Sequence, residues 1–227
     1  MSLSQLSRRR LLLSTGAAGV LALLPSFEAA ARAPAVQPSA EEALRRLLEG
    51  NERYVGNRPR QRPAPDRAAL AAGQAPFAAV LTCADSRVAP ELVFDQEVGD
   101  LFVVRIAGNF VTNDVLASLE YAVAYLEVPL LLVMGHSNCG AVSAAQAELR
   151  EGTSFPGEIG LLAERIAPAL SALQSDPSPD EAVAENARYA AWQLASEGSI
   201  LPERIGAGRL RVLAAVHSLA DGRVRLV

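Results

Sequence analysis

The stretch "VPLLLVMGHSNCGAVSAAQAELREG", Val128 to Gly152, changes its pattern halfway along. Leu130 to Met134 is a continuous apolar run of strand length, with no polar residue to mark a solvent face. Beyond "GHSNCG" the apolar residues recur at helical spacing, and the segment closes on Gly152. A strand buried on both faces that feeds a helix through a polar turn is the unit of a parallel sheet covered by helices. "FAAVLTC" (77–83) and "DLFVVRIAGN" (100–109) repeat the strand half of that unit, and "GRLRVLAAVHSLADGRVRLV" (208–227) adds one or two late strands around an Asp-Gly turn. Helical spacing marks "NDVLASLEYAVAYLE" (113–127), capped by Asn113 or Asp114, then "EIGLLAERIAPALSAL" (158–173) and "PDEAVAENARYAAWQLASEG" (179–198). Ser39 reads as the N-cap of a helix over "AEEALRRLLEGNERYV" (40–55), and "GNRPRQRPAPD" (56–66) as an extended arm. The fold class expected is α/β, a mostly parallel central β-sheet flanked by helices.

At 227 residues, half of them hydrophobic, the chain can bury one sizeable core. Its 21 basic residues are all arginine, and the formal net charge is −4. No basic stripe with interleaved aromatics is present, so nucleic acid is not an expected partner. Residues 1–35 read differently from the rest. Arg8 and Arg9 precede the apolar run Leu11 to Leu24, which is too short and too diluted by glycine and alanine for a membrane span. Small residues follow in "EAAARAPA". That order is a twin-arginine signal peptide and linker over 1–35, cleaved after Ala31 or Ala35, with the functional domain over 36–227. The expected partner is the twin-arginine export machinery, and the expected location is the periplasm.

Both cysteines fall at the carboxyl ends of expected strands, where α/β sheets bind ligands. In "LTCADSRVAP" (81–90), Cys83, Asp85 and Arg87 alternate and would share one side if the strand continued. In "GHSNCGAV" (135–142), His136 and Cys139 flank a turn that lets their side chains converge. Two thiolates, an imidazole and one oxygen suit a tetrahedral zinc site. A Cys83–Cys139 disulfide in an oxidising compartment, or a plain buried thiol pair, fits the same two cysteines.

"CADSRV" followed by "GHSNCGAV" resembles the β-class carbonic anhydrases. The likeness extends through "GDLFVVRIAGN" and "SLEYAVAYLEVPLLLVMGH", covering roughly residues 40 to 227. It implies that Cys83, His136 and Cys139 bind one Zn2+ per subunit. Asp85 either closes the site as a fourth ligand or turns to Arg87 and leaves that position to water. The implied reaction is reversible hydration of carbon dioxide to bicarbonate and a proton by zinc-bound hydroxide. Gln74 matches a glutamine placed near the substrate oxygen, often across a dimer interface. Phe102, Tyr121 and Gly108 match positions lining the substrate pocket, although core packing or a turn would explain each of them. The resemblance also implies a homodimer or dimer-based oligomer, with the helix after Ser39 and the following arm embracing the partner.

The same family suggests two other readings: hydrolysis of carbonyl sulfide or carbon disulfide on this scaffold, and a non-catalytic zinc- or bicarbonate-binding module. Members inhibited by bicarbonate carry a tryptophan and a tyrosine where this chain has Val80 and His217, so that second pocket is not expected here and a readily opened site is. His217 reads as a core or surface histidine rather than a proton shuttle.

Overall fold

Four apolar segments form the parallel part of one sheet: β1 (Ala78–Thr82), β2 (Leu101–Arg105), β3 (Leu130–His136) and β4 (Arg211–His217). A fifth strand, β5 (Val224–Leu226), returns antiparallel to β4, and the sheet order is β2-β1-β3-β4-β5. This computed structural model describes residues 36–62, 64–171, 173 and 177–227. The expected signal peptide at 1–35 lies outside the described residues.

Every residue of β1 and β3 is buried, which is why neither segment alternates in sequence. Successive side chains serve opposite faces. Ala79, Leu81, Leu131, Val133 and Ala214 pack beneath three helices: α4 (Asn113–Tyr125), α7 (Pro179–Ser196) and α8 (Ile200–Gly206). Ala78, Val80, Leu132, Met134 and Ala215 pack beneath α1 (Ala40–Val55) and α3 (Pro90–Val93). Two further helices, α5 (Gly140–Glu151) and α6 (Ile159–Ser171), close a third apolar cluster that contains both cysteines.

The caps show where local chemistry decides. Ser39 caps α1 by accepting from the Glu42 N–H, and Ser178 with Glu181 forms a full capping box on α7. The cap of α4 is Thr112, not Asn113 or Asp114; its hydroxyl accepts from the Val115 N–H. Asn113 and Asp114 lie inside the first turn, where the Asp114 charge still favours the helix dipole. After the arm, Asp66 caps a short helix α2 (Arg67–Ala72) absent from the sequence reading, as were α3 and α8. These three have seven residues or fewer, too short for apolar periodicity to register.

Helix α1 is seated on its own chain. A Cβ at Gly50 would come within 1.7 Å of the Phe94 carbonyl oxygen, so only glycine allows this approach. The next residue, Asn51, donates to the carbonyls of Val93 and Gly222 at 3.1 and 2.8 Å, and accepts from the Val224 N–H at 2.8 Å. The arm is held by Asp95, whose side chain is 1% exposed. Asp95 accepts from Arg53 Nε, Arg62 Nη2 and the Arg60 N–H.

Burial alone would raise the Asp95 carboxyl, but the hydrogen bonds from Arg53, Arg60 and Arg62 outweigh it and leave the carboxyl below its ordinary 3.8. A depressed folded value stabilises fully above 3.8 and is lost as pH falls through it. Asp95→Ala leaves buried guanidinium nitrogen without its acceptor, at a cost of roughly 2–4 kcal/mol given that both arginines are partly solvated. Urea unfolding at neutral pH is expected to show that loss, with the difference from the unsubstituted protein shrinking below about pH 4. Trypsin is expected to cut the Arg58–Arg67 arm faster in the variant.

Candidate metal centre

Strands β1 and β3 are hydrogen-bonded neighbours in parallel register, Thr82 opposite Met134. Both chains therefore leave the sheet at the same edge. Cys83 follows the last residue of β1, His136 ends β3, and Cys139 is the N-cap of α5. The turn between His136 and Cys139 is made possible by Asn138, which holds φ +55. All three side chains are buried, and their ligand atoms lie within 4.8 Å of one another. The two Sγ atoms are 4.0 Å apart, and both cysteines are free.

His136 Nδ1 lies 2.9 Å from the Ser137 carbonyl, and a hydrogen bond there puts the proton on Nδ1. Nε2 is then a bare lone pair. It is buried and has no hydrogen-bond partner among the described residues. A buried nitrogen lone pair left without a hydrogen bond costs free energy unless a cation takes it. The donor set of two sulfurs and one nitrogen fits a soft or borderline metal ion, zinc being typical.

The charges agree with that use. Hydrogen bonding from Cys139 draws Cys83 well below the ordinary thiol range, and the same contact pushes Cys139 up, so the pair carries one thiolate and one thiol. Burial alone would depress His136, but the neighbouring Cys83 thiolate raises it on balance. Metal binding requires both sulfurs deprotonated and so displaces the one remaining thiol proton. The Cys83 sulfur also accepts from the Gly108 N–H at 3.3 Å. Cys139 lies at the amino end of α5, where the helix dipole favours a thiolate.

Asp85 and Arg87 meet through a turn, not along a continued strand. β1 ends at Thr82, and the Val88 N–H closes back on the Asp85 carbonyl. Arg87 Nε and Nη2 donate to Oδ1 and Oδ2 of Asp85 at 2.9 and 2.7 Å, and the Arg87 N–H adds a third bond to Oδ1. Those bonds hold the Asp85 carboxyl well below the usual carboxylate range. Asp85 Oδ2 remains 3.8 Å from His136 Nε2. Arg105, at the end of β2, fixes the backbone beneath by donating to the carbonyls of Cys83 and Asp85 at 3.1 and 2.7 Å. The sequence reading missed Arg105 as a support; its position at the end of "LFVVR", level with Thr82, was the available signal.

The other expected site residues are placed apart from this cluster, with one exception. Gly108 touches it directly through Cys83, at φ +83. Phe102 on β2 and Tyr121 on α4 form a tilted ring pair at 6.2 Å, partly buried against the core, and Tyr121 continues to the exposed Tyr125 at 5.3 Å. Gln74 is exposed and precedes the amino end of β1, the opposite end from Cys83. His217 is buried with neither ring nitrogen hydrogen-bonded among the described residues, and burial lowers its pKa, which keeps it neutral.

A family model described as carbonic anhydrase matches residues 78–224. Carbonic anhydrase 2 of Mycobacterium tuberculosis is 44% identical over 189 residues, covering 81% of this chain and 91% of that protein. The carbonic anhydrase of Mycolicibacterium smegmatis is 39% identical over 188 residues, with the same coverage. The solved structure of a Coccomyxa β-carbonic anhydrase in complex with acetazolamide superposes at a TM-score of 0.60 with 28% identity, covering 81% of this chain and 86% of that one.

Cys139→Ser is expected to lose bound metal and melting temperature together, because metal-binding free energy contributes to folding. Elemental analysis and a thermal melt of the purified protein check this. Unchanged metal content in the variant removes Cys139 from the ligand set.

Proposed function

This chain belongs to the β-carbonic anhydrase family, and from that premise we propose that it hydrates carbon dioxide reversibly at a zinc ion held by Cys83, His136 and Cys139. The single observation carrying this reading is the fork between Arg87 and Asp85 beside three buried donors. A purely structural site fills all four positions with protein ligands, whereas a catalytic one keeps a position open. Here Asp85, 3.8 Å from His136 Nε2, is engaged by a guanidinium.

Zinc in such a site lowers the pKa of water from 15.7 to about 7 and so supplies a hydroxide nucleophile at neutral pH. The remaining work falls to the chain. Asp85 is ionised at any working pH, so it can only accept hydrogen bonds, and it would orient the nucleophile through its proton. Arg87 holds Asp85 away from the metal in a two-bond fork that a lysine could not reproduce. Arg105 keeps the Cys83 and Asp85 carbonyls in place while the carboxylate above them carries charge. Carbon dioxide has no charge to recognise, and the apolar side chains around the cysteines, Phe110, Val142 and Ile166, suit it.

Further parts of the reading rest on the sequence. We place the enzyme domain at 36–227 and its site of action in the periplasm, reached through the twin-arginine route. We also propose a dimer-based assembly in which Gln74, remote from Cys83 within its own chain, serves the neighbouring subunit.

Zinc content and carbon dioxide hydration of the purified chain test the proposal together. Stoichiometric zinc with measurable hydration at mildly alkaline pH is expected. Asp85→Ala is expected to keep the zinc and lose roughly 100-fold or more in hydration rate. Full zinc without hydration in the unsubstituted protein would sink the enzymatic reading.

A further inference from the structure

A buried amide on α7 reaches the metal centre from behind. Asn186 is 2% exposed, and its Nδ2 donates to the Gly108 carbonyl at 2.8 Å. The Gly108 N–H in turn donates to Cys83 Sγ. Glycine at positive φ has little intrinsic preference to hold its two peptide planes, so contacts from outside the turn must fix them. The Asn109 N–H closes the turn on the Ile106 carbonyl at 2.9 Å from one side, and Asn186 holds it from the other. Space is tight as well. A Cβ on Gly108 would come within 2.5 Å of Ile166 Cδ1 and 3.0 Å of Ala141 Cβ, so the turn is pressed between α5 and α6.

We propose that Asn186 is a positioning residue for the metal centre: by clamping the Gly108 carbonyl it keeps the Gly108 N–H aimed at the Cys83 sulfur. The inference rests on Cys83 being a metal ligand, as proposed above. Two thiolates make a centre rich in electron density. An N–H bond to one of them withdraws part of that density and so restores electrophilicity to the metal. Groups in this outer position typically change metal affinity by roughly 10- to 100-fold. The plain alternative is that Asn186 only satisfies a buried carbonyl.

The test uses the full chain loaded with cobalt, together with Asn186→Asp and Asn186→Leu. Both variants delete the donor at similar volume, and only one of them adds a charge. In both, the thiolate-to-cobalt charge-transfer band is expected to move to lower energy, and cobalt affinity to fall roughly 10- to 100-fold. A band unmoved in both variants overturns the proposal, whatever happens to melting temperature. A shift in the Asp variant alone does the same, because it reports charge rather than the lost donor.

If the Leu variant fails to fold, the chain loaded with the NMR-active cadmium isotope gives a second reading. Scalar coupling between cadmium and the Gly108 amide proton is expected in the unsubstituted protein and lost in Asn186→Asp; coupling retained in that variant overturns the proposal. None of these readouts needs carbon dioxide. An inactive protein with the expected spectra ends the hydration reading and leaves this one standing, whereas a chain that takes up no cobalt ends this one.

Discussion

The backbone hydrogen bonds between β1 and β3 run in a parallel register that puts Thr82 opposite Met134. Because the strands point the same way, the first residue after β1 and the last of β3 emerge together at one edge. An antiparallel pairing of the same segments would separate Cys83 from His136 by the length of the sheet. Parallel neighbours need a long crossover connection. Here that connection carries β2 and α4, and it returns the chain so that two motifs distant in sequence share a corner. The Thr82 hydroxyl reinforces the pairing by donating to the Met134 carbonyl at 2.8 Å in the buried layer below the cysteines.

Electrostatics at that corner are arranged in shells. Innermost are two sulfurs and a bare imidazole nitrogen, which together call for a cation. Around them, a carboxylate is paired with an exposed guanidinium, so its two oxygens are engaged from the solvent side. Beyond that, Arg105 and Gly108 donate to the same loop from the strand end and from the turn. Each outer contact fixes an inner group whose own backbone lies outside regular structure, where no ladder of hydrogen bonds would otherwise hold it.

Much of this was legible in the sequence. Continuous apolar runs marked β1 and β3 because both faces of those strands are covered, and their carboxyl ends located the cysteines. The ligand set needed the resemblance as well, since spacing alone left a disulfide open. The alternation of Cys83, Asp85 and Arg87 suggested a strand, yet the chain turns after Thr82, and the Asp85–Arg87 fork is a property of that turn. Asn186 was not legible at all. It is 78 residues from Gly108, and a polar residue in a helix carries no mark of the distant carbonyl it serves. Gln74, Phe102 and Tyr121 matched by motif, but in the single chain none of them joins the cysteine cluster, because they belong to the other end of β1 or to the contact between β2 and α4.

Asn51 has a consequence for how the molecule is made. Its three hydrogen bonds join the first helix to α3 and to the last turn and strand, across as many as 173 residues. Val224 is made 173 residues after Asn51, so α1 has no complete seat until β5 has emerged. Until then its apolar stripe, Ala43 and Leu47, has only part of its covering. Contacts of such span are slow to close, and the half-made chain presents a surface that holding chaperones recognise. The final seating of α1 on β5 therefore waits until synthesis has passed Val224, however early α1 itself is made.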